Sequence, residues 1–161
     1  MELQDRSAPP SSPRIRGATR ADLPNINALL TKSELPLDGV EDVIDNFVVA
    51  DANGAIVGVA ALECCLENGL LRSVAVEPEW RSHGVARQLV LRVIADAEAR
   101  GLPALYLLTM SAEQYFPRFG FERVVRDSVP GDIRQNAQFT TMCPSSAVVM
   151  RRPLGVSSAI S

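Results

Sequence analysis

The 161-residue sequence is poor in several things, and each shortage narrows what the chain can do. It has no excess of positive charge: 16 Lys and Arg stand against 19 Asp and Glu, a net charge of −3. That excludes a global electrostatic attraction to nucleic acid or to an anionic membrane, although not a local basic patch. No apolar run approaches the length of a membrane span, and the polar, Pro-rich start Met1 to Pro13 has no signal-peptide segment, so a cytoplasmic protein is expected. Three cysteines, an odd number, fit a reducing compartment better than a disulfide framework. Neither they nor the one histidine, His83, form a recognisable Cys-His-Asp arrangement. There is no internal repeat and no linker. What remains is 47% hydrophobic and 22% charged, the composition of one folded domain whose partner is a small molecule.

The turn signals divide the chain into a disordered arm (1–13), a domain (14–154) and a flexible tail (155–161). Within the domain, Arg14 to Ala18 reads as a first strand. Thr19 and Asp22 have capping-box spacing, ahead of a helical stripe of Leu23, Ile26, Leu29 and Leu30. Val40, Val43, Ile44 and Phe47 suggest a second helix over Gly39 to Asn46. Phe47–Ala50, Ala55–Leu62 and Leu70–Val76 then form a meander, because Asn53-Gly54 and Asn68-Gly69 both accept positive φ. Val85 to Arg100 carries an apolar stripe through Leu89, Val90, Val93, Ile94 and Ala97, with Gly101 as its C-cap. Leu105–Leu108 follows as a strand parallel to Leu70–Val76, since strand, helix and strand make a crossover. A short helix over Ala112 to Phe119, strands Phe121–Val125 and Ala147–Arg151, and a helix near Asp132 to Gln138 complete the reading. The fold class is α/β: a mixed, mostly antiparallel twisted sheet of six or seven strands with helices on both faces. Its cleft is expected where Val74–Val76 and Leu105–Leu108 diverge.

The chemistry concentrates where a strand ends at Glu77-Pro78 and a glycine turn opens into the best helix, through Glu79-Trp80-Arg81-Ser82-His83-Gly84-Val85-Ala86. A helix N-terminus offers unpaired N–H groups and the positive end of the dipole, which together hold an anion. Gly84 allows close approach, and Ser82 and Ala86 are small. A phosphate or pyrophosphate is the expected ligand. Neither the three-glycine dinucleotide fingerprint nor the Lys-Ser/Thr P-loop fits.

This segment resembles the GCN5-related N-acetyltransferase (GNAT) family, whose signature is Arg/Gln-x-x-Gly-x-Gly/Ala after Val-x-Val-x-Pro. The likeness extends over Arg14 to Arg152 in the order of elements. It implies acetyl-CoA as cosubstrate, with the backbone of Arg81, Ser82, His83, Gly84, Val85 and Ala86 on the pyrophosphate and Val74, Ala75 and Val76 beside the pantetheine arm. Thr109 stands where many members have a cofactor-contacting asparagine. Phe116 occupies the position of the tyrosine that often protonates the departing thiolate, with Tyr115 adjacent. Within the family, Leu70–Val76, Leu105–Thr109 and Phe139–Val148 resemble the acetyltransferases associated with arsenic resistance. That likeness implies a small amine, such as an organoarsenical amino acid, as acceptor.

Arg72 lies inside an apolar strand. It either pairs with a carboxylate or grips an anionic group of the acceptor. Glu63 and Glu67, at the hairpin end, are either solvated or Arg-paired carboxylates, or one of them, Glu63 first, relays a proton from the acceptor ammonium through water. Cys64 and Cys65, as neighbouring strand residues, face opposite ways and cannot both enter one site without a bulge, and a buried apolar role is expected for at least two of Cys64, Cys65 and Cys143. No metal site is expected, a small-molecule amine is the partner, nucleic acid and membrane are not, and a homodimer is compatible. Three readings stay open: an N-acetyltransferase, a degenerate acetyl-CoA-binding sensor, and an arsenic-binding protein using the cysteines.

Overall fold

The computed structural model describes residues 13–136 and 147–155. Seven strands, β1 (Arg14–Gly17), β2 (Phe47–Ala52), β3 (Ala55–Cys64), β4 (Gly69–Val76), β5 (Ala104–Thr109), β6 (Glu122–Val124) and β7 (Val148–Pro153), form one mixed, mostly antiparallel sheet in the order β1-β2-β3-β4-β5-β7-β6. Among the described residues three α-helices accompany it: α1 (Leu23–Lys32), α2 (Val85–Ala99) and α3 (Gly131–Arg134). No helix among the described residues is long and apolar enough to cross a membrane. Most of the expected arm and tail lies outside the described residues. Pro13 is buried, however, and the Gly155 N–H reaches a Glu98 carboxylate oxygen at 3.4 Å.

The chain divides into two compact units. The first holds the residues up to Ala60 and Ser73–Arg92. β1 pairs antiparallel with β2, from Arg14↔Asp51 to Gly17↔Val48. The Thr19 N–H donates to the Asp22 carboxylate at 2.8 Å, one arm of a capping box, and the 3-10 turn Arg20–Asp22 leads into α1. α1 buries Ile26, Leu29 and Leu30, the stripe that the spacing predicts. Arg16 bridges Asp22 (2.9 Å) and Asp51 (3.0 Å). The β2–β3 turn has Asn53 at φ 54° and Gly54 at φ 94°, the left-handed pair of a tight hairpin. One expectation fails here: Gly39–Asn46 is not an α-helix but a 3-10 stretch, Glu41–Asn46, broken at Val43 (φ −114°, ψ 20°). Its β-branched residues lose rotamers in a helix, and Asp42, Asp45 and Asn46 compete for backbone bonds. Val40 and Ile44 are buried nonetheless.

The second unit holds Ala61–Arg72 and the chain from Val93 onward. β4 and β5 pair in parallel, with Gly69↔Leu105 and Leu70↔Tyr106 in register, as the crossover requires. β7 lies antiparallel to both β5 and β6. Leu70, Ala104, Tyr106, Val129, Ile133 and Val149 form a buried cluster. Three expectations are corrected in this unit. Asn68-Gly69 makes no left-handed turn, since neither residue has positive φ. The β3–β4 connection closes instead through the Cys65 N–H to the Asn68 carbonyl (2.9 Å). Gly69 serves packing: a Cβ there would stand 2.8 Å from Leu62 and 3.0 Å from Leu102. Ala112–Phe119 is not a helix. Pro117 restricts it to a 3-10 turn, Phe116–Phe119, stopped by Gly120 at φ 91°. The helix expected over Asp132–Gln138 is the single turn α3, and Gln138 lies outside the described residues.

Candidate active site

In the first unit, β4 ends at Val76 and the chain turns through a 3-10 segment, Pro78–Trp80, before α2. Arg81 is extended (φ −70°, ψ 153°), Ser82 is left-handed at φ 69°, and Gly84 is left-handed at φ 82°. The Gly84 carbonyl accepts the Gln88 N–H at 3.1 Å, the first turn of the helix, so the N–H groups before Gln88 precede any helical partner. Ser82, His83 and Gly84 are exposed. A Cβ built on Gly84 would touch nothing within 4 Å, so space lies directly against the backbone. Alternating left-handed residues ahead of a helix make a concave set of donors suited to an anion. Arg81 steadies the turn, its Nε donating to the Val76 carbonyl at 3.2 Å. His83 is edge-on to Trp80, with ring centroids 6.4 Å apart. Ala86 is half-buried and Val85 buried under the helix.

Val74 is half-buried, and Ala75 and Val76 are buried. Just before them Ser73 has φ 61°, a left-handed residue inside a strand. Such a residue costs on the order of 1–2 kcal/mol and interrupts the regular pleat as a bulge does. Nothing in the sequence around Ser73 signals this, because serine has no strong preference for that region.

In the second unit, Arg72 is buried and pairs with Glu63 at 3.1 Å. The other Glu63 oxygen accepts the Asn136 amide at 2.8 Å, so both oxygens are engaged as acceptors. Asp132 accepts the N–H groups of Glu67 (2.8 Å) and Asn68 (2.9 Å) and the Asn68 amide (3.2 Å). Burial alone would raise the Asp132 carboxyl, but these backbone bonds outweigh it and hold the group below the usual carboxylate range. Asp132 and Asn136 were invisible as partners of residues more than sixty positions away.

The Thr109 hydroxyl oxygen accepts the N–H groups of Ala112 (2.9 Å) and Ser111 (3.3 Å), capping the turn after β5. Phe116, Phe119 and Phe121 are buried together, Phe116 edge-on to Phe121 with centroids 5.8 Å apart. Tyr115 packs edge-on against Phe116 and Phe119, with the Arg118 guanidinium 4.4 Å from its ring centroid. Cys64 is exposed, because it ends β3 where the sheet gives way to a loop, so it is not one of the two or more cysteines expected to be buried. Cys65 is half-buried. Burial, reinforced by the Glu63 and Asp132 carboxylates, pushes its thiol up to about 11. Cys143 lies outside the described residues. Among the described residues no group of three or more His, Cys, Asp or Glu side chains could hold a metal ion.

The acetyltransferase (GNAT) domain family matches residues 44–123. An amino-acid acetyltransferase of Aeromonas salmonicida is 30% identical over 131 residues, which are 74% of this chain and 29% of that protein. One of Mycobacterium tuberculosis is 29% identical over 143 residues, covering 83% of this chain and 79% of its own length. Among solved structures, N-acetylglutamate synthase from Neisseria gonorrhoeae, complexed with coenzyme A and N-acetyl-glutamate, matches with a TM-score of 0.76 and 25% identity. The match covers 88% of this chain and 35% of that one. The chain spans about a third of the length of the first curated relatives it matches. These relatives are named for amino acids rather than for arsenic.

Proposed function

This chain belongs to the GNAT acetyltransferase family, and on that premise we propose that it moves an acetyl group from acetyl-CoA to the amine of a small amino acid or amino-acid-like molecule. The observation that carries the reading is the turn Arg81–Ala86, where Ser82 and Gly84 are left-handed and the backbone beside Gly84 is open. Its amides suit a pyrophosphate, and Val74–Val76 offer a strand for the pantetheine arm. Thr109 contributes through the turn it caps. The amino-acid acceptor rests on the names of the relatives; an organoarsenical amino acid carries the same ammonium and carboxylate and stays within this class. A cytoplasmic location belongs to the same reading.

Acetyl-CoA supplies an activated thioester. The acceptor amine attacks its carbonyl carbon directly, the C–N bond forms, the C–S bond breaks, and the ammonium proton leaves to solvent. Backbone N–H groups beside the left-handed Ser73 would receive the charge that develops on the carbonyl oxygen. Phe116 has no proton to give, so the thiolate takes its proton elsewhere. A thiolate of modest basicity needs this help less than an alkoxide would. Glu63, held by Arg72 and Asn136 through one bond to each oxygen, would serve as a base through water on the acceptor sites those bonds leave.

Calorimetry with acetyl-CoA, followed by thiol release against glutamate, other amino acids, phosphinothricin-like and arsinothricin-like compounds and polyamines, tests the proposal. Binding with release on an amino acid is expected. Binding without release on any acceptor would favour a sensor, and no binding at millimolar cofactor would end the reading.

A further inference from the structure

Asn136, Glu63 and Arg72 are brought together from a loop and two strands. Asn136 Nδ2 donates to Glu63 Oε2 at 2.8 Å, and Arg72 Nη1 donates to Glu63 Oε1 at 3.1 Å. The Arg72 side chain is 4% exposed and that of Glu63 23%. The carboxylate that holds a buried guanidinium is therefore itself held. Asn136 is also fixed from behind. Four residues earlier, Asp132 ties the same segment to the β3–β4 connection through Glu67 and Asn68. The Asn136 contact to Cys65 Sγ, at 3.8 Å, is long and adds little.

The residue after Arg72 is Ser73, left-handed at φ 61°. A strained non-glycine conformation persists only where its surroundings over-determine it. Arg72 is covalently joined to it, and its guanidinium is the side chain locked next to the bend. We propose that Asn136 is a positioning residue for acetyl transfer: by orienting Glu63 it fixes Arg72, and with it the β4 backbone at the left-handed Ser73. The catalytic consequence rests on the function proposed above, in which amides beside Ser73 receive the developing charge.

The test uses the full chain with Asn136→Ala, Asn136→Gln and the isosteric Asn136→Asp, which cannot donate and places a second carboxylate beside Glu63. Steady-state kinetics should show kcat falling about tenfold in the Ala variant, with KM for acetyl-CoA within about twofold, a larger fall in the Asp variant and partial rescue by Gln. Hydrogen exchange of the amides at 72–75 should quicken about tenfold in the Ala and Asp variants. Unchanged exchange at these amides would overturn the proposal whether or not the protein transfers acetyl. A wild-type protein that turns over, with Asn136 variants of equal kcat, would overturn it while leaving the function intact. A wild type without turnover would sink the function alone, and exchange would still decide the positioning.

Discussion

The turn at Arg81–Ala86 and the cluster around Glu63 are made of different materials. The first is backbone: two left-handed residues and a helix start, all within six consecutive positions. The second is side chain: a guanidinium, a carboxylate and an amide from residues 72, 63 and 136, separated by up to 73 positions. A backbone device is written in the residues that allow it, such as Gly84 and the proline that ends the preceding strand. A side-chain network is written nowhere in particular, because any Arg can meet any Glu once the fold brings them together. The two should also fail differently, the turn in ligand affinity and the cluster in stability and turnover.

Arg72→Ala should give the largest effect. It leaves the partly buried Glu63 carboxylate without its cation, and breaking a buried ion pair from one side costs about 3–5 kcal/mol. With Glu63 23% exposed, the lower end is expected. A loss of about 3 kcal/mol in urea unfolding, or roughly 6–12 °C in Tm for a chain this size, is the predicted outcome. The neutral Glu63→Gln should lose less, since it leaves no uncompensated carboxylate. Equal stability in Arg72→Ala and wild type would show that the pair adds nothing and that the contrast between the two regions is false.

Gly84→Val comes next and should act on binding. The site has room for a side chain, so the obstacle is the left-handed φ of 82°, which a β-branched residue adopts poorly. A penalty of about 1–2 kcal/mol per left-handed residue corresponds to a fall of about fivefold to thirtyfold in acetyl-CoA affinity. Arg81→Ala removes one anchor, the bond to the Val76 carbonyl, and should weaken binding only about threefold. Calorimetry that ranked Arg81→Ala above Gly84→Val would place the weight on the side chain rather than on the backbone.

The same contrast explains what was legible. Turn chemistry at Asn53-Gly54, the stripe of α1, the crossover from β4 to β5 and the glycine turn that opens α2 all depend on residues close in sequence, and each is legible there. Where local preference was ambiguous the reading slipped. Val40 to Phe47 has the spacing of a helix but the branched side chains of something tighter, and Ala112 to Phe119 has Pro117 inside it. Asn68-Gly69 repeats a hairpin signal, yet the glycine is there because Leu62 and Leu102 leave no space for a Cβ. Ser73 was missed for the opposite reason: tertiary structure imposes a conformation that serine does not advertise.

The smallest effect, and the one that sharpens the chemistry most, concerns the cysteines. A thioester intermediate on the enzyme would need a thiolate nucleophile, and the fraction of thiolate at neutral pH is set by the thiol's pKa. Cys65 is pushed up to about 11 by burial and by the Glu63 and Asp132 carboxylates, so at pH 7.5 only on the order of one thiol in several thousand is ionised. Among the described residues its polar neighbours are the Glu63 and Asp132 carboxylates and the Asn136 amide, with no imidazole to act as a base. Cys64 is exposed and sits 3.7 Å from Arg100, again with no general base beside it among its described contacts. Cys64→Ser and Cys65→Ser should therefore keep turnover within about twofold of wild type. Between pH 7 and 9, the Cys65→Ser profile should follow the wild-type profile. If Cys65→Ser abolished transfer while acetyl-CoA still bound, or removed a rise in rate toward high pH, direct attack by the acceptor amine would have to give way to a route through the enzyme's own thiol.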